Sequence, residues 1–464
     1  MAAYRCSPGP LSLACVLSRR PVPMRGITAM TLQSPGFGGA GVLDHNVSDL
    51  VVEEPGRFRV HSDVYVRPDI FALEMSRIFE TSWVFVAHES MVPNPGDYCT
   101  GAIGRQPVII SRDDHGEVHV LFNRCAHRGS VVCRDERGHA ATFRCPYHGW
   151  MYRNDGTLIG AAQRSGYPKD FDTWGLRLGA VPNVETYRGL IFANIAPDCE
   201  PLSERLGGVR RYVDAWCDRA PDGEVTVPIG AHRYDYPGNW KLQMENGVDG
   251  YHGNYVHESY ANILERSGER KAADISRARN RVGAKNYAKG LPHGDGLLER
   301  ADGMLGTYDT KSNPEYRQQI ADAYGDERME EVLTQRNIFI FPNLYLFESH
   351  IRVIRPVEVD KTYVDVYPTT LVGASDEFNR DRLTEHQRFF GPASFGQPDD
   401  IEIFVCAQTG VNVGATPWME LSRGLAREEV NEYGESVGHS TDENPQRSIY
   451  REWRKRMLNE AVKA

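Results

Sequence analysis

The sequence predicts an α+β protein with two folded domains: an N-terminal helix with an all-β domain over residues 46–185, and a larger domain over residues 186–464 in which helices flank an antiparallel sheet. In the first region, short apolar runs alternate with turn residues, as is typical of all-β domains. After Pro201, longer helical segments mix with strand patterns. A chain of 464 residues is also longer than one typical domain.

Residues 1–45 are expected to form a disordered extension. Up to Met30 the chain carries arginines and scattered prolines but no acidic residue, and most of its charge follows the short apolar stretch. A secretory signal peptide has the opposite order. The first 29 residues are therefore a disordered extension or an over-long start before Met30, with an organelle transit peptide as an alternative. Residues 36–41 match G-x-G-x-x-G, but no strand pattern precedes them, so no dinucleotide site is predicted.

The elements of the first domain follow from local patterns. A helix is predicted over residues 68–85, where apolar residues recur at helical spacing and Pro68 suits a helix start. Strands are predicted at 107–112, 118–123, 141–145 and 150–153, with a closing strand at 189–195. These short strands, separated by turn residues, indicate a β domain.

Two of those loops carry the strongest motif in the chain. C-A-H-R-G begins at Cys125 and C-P-Y-H-G-W begins at Cys145, which gives the spacing C-x-H-x17-C-x2-H. This donor set suits a Rieske [2Fe–2S] cluster, in which Cys125 and Cys145 hold one iron and His127 and His148 hold the other. A structural zinc site is the alternative, but such sites usually pair Cys with Cys and His with His at close spacing.

The composition excludes several classes of function. A net charge of −10 argues against nucleic acid as the main partner. There is no apolar run of about 18 residues, so no membrane-spanning helix is predicted. Nine cysteines without a pairing pattern in a chain of this length do not form a disulfide framework, and we expect a cytoplasmic protein.

The second domain is expected to contain an antiparallel sheet built from residues 337–341, 351–356 and 362–368. The alternation of apolar and polar residues in the last of these segments indicates a half-buried strand. The tail after Ser436 is interpreted as a mobile link followed by a terminal amphipathic helix.

A second motif, D-x2-H-x4-H, places Asp249, His252 and His257 together. On an α-helix Asp249 and His252 would share a face, while His257 would be turned away unless Gly253 breaks the helix. Two histidines with one remote carboxylate form the facial triad of non-haem Fe(II) oxygenases. The segment could also hold two hydrogen-bonded histidines or a zinc ion. A neighbouring Rieske cluster favours iron, because delivered electrons need an acceptor and zinc has no redox chemistry.

The remote carboxylate is expected in F-G-Q-P-D-D-I-E-I-F at residues 395–404. Asp399, Asp400 and Glu402 are the candidates there, and spacing alone does not choose among them. No nicotinamide or flavin fingerprint is evident, so the electron source is expected to be a separate protein.

Together these motifs identify a resemblance that covers the chain from about residue 48. It resembles the large (α) subunits of Rieske non-haem iron aromatic-ring-hydroxylating oxygenases, and within them the benzoate, toluate and anthranilate 1,2-dioxygenase group. The supporting phrases are W-V-F-V-A-H-E-S, I-G-R-Q-P, N-W-K-L-Q-M-E-N-G-V-D-G-Y-H, I-R-V-I-R-P and P-D-D-I-E-x-F. The resemblance implies a Rieske domain and a catalytic domain of helix-grip, START-like architecture.

The resemblance also implies roles for individual residues. Cys125, His127, Cys145 and His148 would bind the [2Fe–2S] cluster, and His252, His257 and Asp400 would bind a mononuclear Fe(II). Asp249 would bridge a cluster histidine and an iron histidine across a subunit boundary, within a ring of three α subunits.

The implied partners are a small β subunit, as α3β3, and an NADH-dependent reductase with or without a ferredoxin. The implied reaction is cis-dihydroxylation of an aromatic ring with O2, with an aromatic carboxylate such as a benzoate as substrate. Arg352 and Arg355 are candidates to bind that carboxylate, although two arginines in one strand are as readily explained by structural ion pairs.

Other functions stay open at this point. A Rieske monooxygenase or demethylase, such as a salicylate hydroxylase, would use the same two metal sites, and the substrate could be a neutral or polycyclic arene. An electron carrier without chemistry of its own is the remaining possibility, but the Asp249–His257 segment argues against it.

Overall fold

The computed structural model describes residues 46–268, 286–301, 308 and 310–459. The extension predicted over residues 1–45, with its G-x-G-x-x-G match, lies outside the described residues. Within the described part of the chain, no helix is both long enough and apolar enough to cross a membrane.

Strands with only short 3₁₀ turns between them run from Val84 to Asn194, and the longer helices come after residue 201, as in an α+β protein. The α-helices span Asp63–Val66, Pro68–Glu74, Leu202–Leu206, Arg210–Cys217, Trp240–Asn246, Glu258–Arg266, Pro314–Tyr324, Asp326–Val332, Asp376–Phe390, Gln397–Gly410 and Asn444–Met457. The small sheets contain the strands Val51–Glu54, Arg57–His61 and Trp418–Glu420; Val84–His88, Asn183–Tyr187 and Leu190–Asn194; Asp97–Ile103, Gln106–Arg112, Val118–Phe122 and Arg137–His139; Thr142–Arg144, Met151–Arg153 and Leu158–Gly160; and Val225–Thr226 with Thr370–Leu371.

A nine-stranded antiparallel sheet, which we call the central sheet, dominates the second half of the chain. Its strands are, in spatial order, His232–Tyr236, Lys361–Pro368, His350–Glu358, Leu344–Leu346, Gln335–Ile340, Gly296–Arg300, Asn286–Gly290, Ser436–His439 and Glu429–Val430. Small β-sheets in the first half and a helix-flanked antiparallel sheet in the second confirm the predicted α+β fold class.

Two local predictions are wrong. The helix expected over residues 68–85 runs as an α-helix over Pro68–Glu74 and as a π-helical turn over Met75–Phe79, whereas Val84–His88 is a strand. All five residues of that strand are buried. A continuous run of β-branched and aromatic side chains is typical of a strand covered on both faces, and helical spacing alone does not distinguish it.

The mobile link expected after Ser436 is instead a strand of the central sheet. Ser436–His439 pairs with Asn286–Gly290, so that Gly290 lies opposite Ser436. Its partner lies far away in the sequence, and for that reason the local pattern could not reveal the pairing. The terminal helix Asn444–Met457 is present and amphipathic, with Trp453 fully buried.

The two faces of the central sheet differ in chemistry. Alternate residues of a strand point to opposite faces, so His350, Arg352 and Ile354 share one face, which we call the site face. Ile351 and Val353 point to the other face, where they join a separate hydrophobic core of aliphatic and aromatic side chains. The site face packs against an aromatic cluster that includes side chains of the helix Asp376–Phe390.

One fully buried carboxylate ties three helices together. Glu74 accepts hydrogen bonds from Lys241 Nζ at 2.6 Å and from the indole nitrogens of Trp240 at 2.8 Å and Trp453 at 2.7 Å. Neither Glu74 nor Lys241 is exposed at all, and burial lowers the pKa of Lys241 despite the adjacent carboxylate. A buried charge is tolerated only when it is paired, so these contacts fix how the helices beginning at Pro68 and Trp240 and the terminal helix dock together.

We expect Glu74→Gln to lower the free energy of unfolding by about 3–5 kcal/mol, because it leaves the Lys241 ammonium buried without a counter-charge. Chemical denaturation of the purified holoprotein measures the change. The matched control is Arg57→Gln, which removes an ion pair to Glu420 whose side chains are 54% and 50% exposed. That control is expected to cost less than about 1 kcal/mol, and equal losses in the two variants would contradict the role of Glu74.

Candidate metal centres

Two loops present the Cys-His pairs of the first motif. The Cys125 loop follows the strand Val118–Phe122, and the Cys145 loop joins two strands of a small hairpin. Each loop closes in the same way: Gly129 N donates to the Cys125 carbonyl at 2.9 Å, and Gly149 N donates to the Cys145 carbonyl at 3.0 Å. Both glycines have φ near +70°, a conformation that side chains disfavour. The glycines of C-A-H-R-G and C-P-Y-H-G-W are therefore required by the backbone of the loops.

The side chains of the two loops meet. Cys125 and Cys145 are buried and unpaired in any disulfide, while the half-buried rings of His127 and His148 lie 4.6 Å apart between centroids. Burial would raise the pKa of Cys145, but hydrogen bonds from the backbone N–H groups of Tyr147 and His148 and from the Cys125 thiol lower it overall. Two thiols in the interior and two imidazoles towards the surface are a donor set that fits a Rieske cluster.

Two aromatic residues that sequence reasoning did not single out support this site. The indole of Trp150 stacks on the His127 imidazole at 4.9 Å, with 6° between the ring planes. The Tyr152 hydroxyl lies 3.1 Å from Cys125 Sγ and also accepts from the Ala126 N–H at 3.1 Å. Trp150 immediately precedes the strand Met151–Arg153 and Tyr152 lies within it. This strand therefore positions two side chains that contact the candidate cluster ligands.

The second motif follows the helix Trp240–Asn246, and the chain leaves the helix before it reaches Asp249. Asn337 on the central sheet donates to the Gly247 carbonyl at 2.8 Å, and a Cβ on Gly250 would overlap the carbonyl oxygen of Ser440. This close approach requires glycine at position 250 and holds the chain that follows the helix against the segment at Ser440.

The prediction that Asp249 and His252 share an α-helix is therefore wrong. His252 begins a short 3₁₀ turn, and His257 caps the next helix, Glu258–Arg266. The break that the sequence placed at Gly253 comes earlier, after Asn246, and the irregular chain between the two helices carries both histidines.

His252, His257 and Asp400 converge on one point. His252 Nε2 and His257 Nε2 lie 3.6 and 3.4 Å from Asp400 Oδ1, and all three ligand atoms lie within 4.8 Å of one another. Two donor atoms that each lie ~2.1 Å from one metal ion are roughly 3.0–3.5 Å apart. His257 and Asp400 are buried and His252 is half-buried, so the donor set fits a single enclosed cation.

Only one of the three candidate carboxylates lies between both imidazoles. Asp400 sits in the first turn of the helix Gln397–Gly410, and Asn246 Nδ2 donates to its Oδ1 at 3.2 Å. Asp399 accepts from the Ser259 hydroxyl at 2.7 Å and lies 3.9 Å from the other nitrogen of His257. Glu402 is exposed. Sequence reasoning missed Asn246, although it lies in the quoted N-W-K-L-Q-M-E-N run.

Asp249 lies behind His252. Its Oδ2 is 3.3 Å from His252 Nδ1, and its side chain is 29% exposed. Burial opposes protonation of His252, but the Asp249 and Asp400 carboxylates outweigh it and raise the pKa of His252. Burial prevails at His257, whose pKa is lowered.

The two arginines that the sequence offered for a carboxylate point to opposite faces of the central sheet. Arg355 donates to Asp365 at 3.0 Å in a structural ion pair. Arg352 is buried on the site face, and it forms no ion pair within the described residues.

Comparison with known proteins gives the same division of the chain. A family model described as the Rieske [2Fe–2S] domain matches residues 82–181, and one described as the ring hydroxylating alpha subunit (catalytic domain) matches residues 224–459. The large subunit of 2-halobenzoate 1,2-dioxygenase from Burkholderia cepacia is 37% identical over 85% of this chain and 86% of its own length. The toluate 1,2-dioxygenase subunit alpha of Pseudomonas putida is 35% identical over 80% of this chain and 86% of its own length.

Among solved structures, naphthalene 1,2-dioxygenase with indole bound in the active site superposes with a TM-score of 0.80 at 25% identity. The match covers 89% of this chain and 95% of that one. The catalytic family model spans half of the chain, and relatives above 30% identity cover more than two thirds of it. The chain therefore belongs to the family of Rieske ring-hydroxylating dioxygenase α subunits, oxidoreductases that bind a [2Fe–2S] cluster and a mononuclear iron.

Proposed function

We propose that the chain is the α subunit of a terminal oxygenase that cis-dihydroxylates an aromatic carboxylate such as a benzoate. The observation that carries the proposal is the convergence of His252, His257 and Asp400 on one point in a chain that also has a Rieske domain. The substrate class is supported by the relatives, whose names give 2-halobenzoate and toluate as substrates. In this reaction an arene, O2 and NADH with one proton give a cis-dihydrodiol and NAD⁺.

The proposal gives each site residue a role. Cys125, Cys145, His127 and His148 hold the cluster, and His252, His257 and Asp400 hold the iron. When bound, the cluster supplies single electrons and the ferrous ion supplies the centre at which O2 is reduced. The chain contributes the rest: it encloses Asp400 between two imidazoles, orients that carboxylate through Asn246, and keeps three protein ligands so that other positions stay open.

Asp249 is proposed as a positioning residue between the two metal sites of neighbouring subunits. It contacts the nitrogen of His252 that faces away from Asp400, and a carboxylate behind a ligating histidine orients the ring and raises its basicity. Its Oδ1 accepts from the Tyr251 N–H at 2.6 Å, and its partial exposure leaves the carboxylate accessible to a cluster histidine of another α subunit.

The proposed partners are a small β subunit, as α3β3, and an NADH-dependent reductase with or without a ferredoxin. Support comes from the relatives, which are named as large or alpha subunits of multi-component enzymes. The proposed domain division is an extension over residues 1–45, a Rieske domain over 46–185 and a catalytic domain over 186–464.

The reaction is tested with 18O2. We expect the protein, co-expressed with the proposed small β subunit and reductase, to convert benzoate to a diol in which both new oxygens are labelled. Mass spectrometry of products from a panel of aromatic acids and neutral arenes measures this. A single labelled oxygen would indicate a monooxygenase, and products from neutral arenes alone would contradict the carboxylate substrate.

The iron ligands are tested by metal content. We expect about three irons per chain in the wild type, two in the cluster and one mononuclear, and we expect Asp400→Ala to retain only the cluster pair. Iron analysis together with the visible spectrum of the cluster distinguishes these states. Asp399→Ala is the matched control on the adjacent residue and should keep all of the iron, so the reverse result would move the ligand to Asp399.

Asp249→Asn is expected to keep both metals and the fold but to lower coupled turnover by about 100-fold. The neutral amide no longer orients the His252 ring or raises its basicity as the carboxylate does. The readouts are product formed per NADH consumed and iron content. Glu402→Gln, which alters an exposed carboxylate on the same helix as Asp400, serves as the control and should change turnover far less. Normal coupled activity in the Asp249 variant would exclude the bridging role.

A further inference from the structure

Arg352 differs from the other buried arginines of the described residues. Arg205, Arg219, Arg382 and Arg447 each meet a carboxylate within 3.3 Å, through Asp295, Glu348, Glu348 and Glu428. Arg352 is only 1% exposed, yet within the part of the chain that the structure describes it makes a single hydrogen bond, from a terminal nitrogen to Gln397 Oε1 at 3.0 Å. A buried charge without a counter-charge is costly, so the protein retains it at the expense of stability.

Among the described residues, the surroundings of Arg352 are aromatic and polar but carry no negative charge that pairs with it. The guanidinium lies over the ring of Phe347 at 4.4 Å and over that of Phe390 at 5.3 Å. Such contacts partly stabilise a cation, but they leave its hydrogen-bonding capacity unused. Its Nε has no partner within the described residues, and the same holds for Nε2 of Gln397.

Two further buried polar groups, the imidazoles of His350 and His386, lie in the same region. His350 lies on the site face two residues before Arg352, and its ring is 4.9 Å from that of His386. The Ser349 hydroxyl contacts Nδ1 of both rings, at 3.3 and 3.1 Å, while Nε2 of each ring lacks a partner in the described part of the chain. A hydroxyl has one proton, so when it bonds both rings one of them keeps an N–H at Nε2.

The imidazoles of His350 and His386 are neutral, so Arg352 carries the charge in the group formed by Arg352, Gln397 and these two histidines. Burial, together with the neighbouring charges of His232, Arg352 and Arg382, lowers the pKa of His386 to about 3. Burial, followed by His386 and Arg352, lowers the pKa of His350 well below its ordinary value. The group therefore offers one cation and several neutral polar atoms, which suits a monoanion.

This group lies beside the proposed iron site. Gln397, the hydrogen-bond partner of Arg352, is one helical turn before Asp400 on the same helix, and residues three apart share a face. The Phe390 ring under the guanidinium touches Phe389 at 4.6 Å, and Phe389 touches the His257 imidazole at 4.9 Å. An aromatic ring of substrate size could thus contact the phenylalanines with its polar substituent at Arg352.

We propose that Arg352 is the specificity-determining residue that receives the carboxylate of the aromatic acid, supported by Gln397 and the imidazole pair. The inference rests on the proposed function, since it names the contact that selects an acid over a neutral arene. A guanidinium binds a carboxylate through two parallel hydrogen bonds, and the ligand would supply the counter-charge that the fold leaves out. Arg352 is then a binding residue whose charge is compensated only in the complex.

The test compares benzoate with benzamide, a neutral analogue of nearly the same shape, as ligands of the anaerobic holoenzyme by titration calorimetry. We expect Arg352→Met to bind benzoate roughly 100-fold or more weakly, because a buried charged partner is lost, while benzamide affinity stays within a few-fold. Arg355→Met is the matched control: it lies three residues away on the opposite face, and Asp365 keeps Arg233 as a partner. It should bind both ligands as the wild type does.

Stability gives an independent readout. Without ligand, Arg352→Met should not lower the unfolding temperature, whereas Arg382→Met should lower it because Glu348 loses a partner. Should Arg352→Met not yield folded holoenzyme, Arg352→Lys keeps the charge without the planar fork and should weaken benzoate binding alone. Equal weakening of benzoate and benzamide, or unchanged benzoate binding, would overturn the proposal.

These outcomes separate the inference from the function on which it rests. A wild-type enzyme that hydroxylates a neutral arene and binds no benzoate would contradict the proposed substrate class. A wild-type enzyme that hydroxylates benzoate, with Arg352→Met unchanged, would contradict only the role of Arg352.

Discussion

The rest of the structure depends on the buried carboxylate of Glu74. Glu74 accepts hydrogen bonds from Lys241, Trp240 and Trp453 in a region without water access. These bonds hold three helices in one arrangement: Pro68–Glu74, Trp240–Asn246 and Asn444–Met457. That arrangement anchors the start of the helix Trp240–Asn246, and the irregular chain that follows this helix carries both candidate iron histidines. The ion pair in the core therefore helps to position the segment that holds two of the three proposed iron ligands.

The second half of the site comes from a distant part of the chain. Asp400 reaches the two imidazoles because its helix packs across the site face, and Asn246 at the end of the earlier helix holds its carboxylate. The result is a carboxylate enclosed by two imidazoles whose pKa values shift in opposite directions. One bound cation would contact all three donor atoms at once, so the arrangement fits a metal centre.

The sequence predicted what is local and missed what is not. The Cys125 and Cys145 loops could be recognised because their ligands and required glycines lie within one short stretch, and the strands around them have clear turn signals. The course of the chain at Asp249 could not be read, since it depends on the contacts of Gly247 with Asn337 and of Gly250 with Ser440. Likewise, Ser436–His439 became a strand only through pairing with a distant segment. Period-two alternation separates Arg352 from Arg355, but it does not tell which face borders the site.

The two faces of the central sheet explain why Arg352 and Arg355 have different partners. On the face that Ile351 and Val353 share, Arg355 lies at the margin and is neutralised by Asp365. On the site face the protein instead keeps a cation and several polar nitrogens that have no partner among the described residues, although buried polar groups are almost always satisfied in folded proteins. A scaffold selected for stability alone would have replaced Arg352 by an apolar residue or supplied a carboxylate, as it does for Arg205 and Arg382. The unpaired charge of Arg352 and the unsatisfied nitrogens near it, beside the proposed iron site, are best explained by a ligand that completes them.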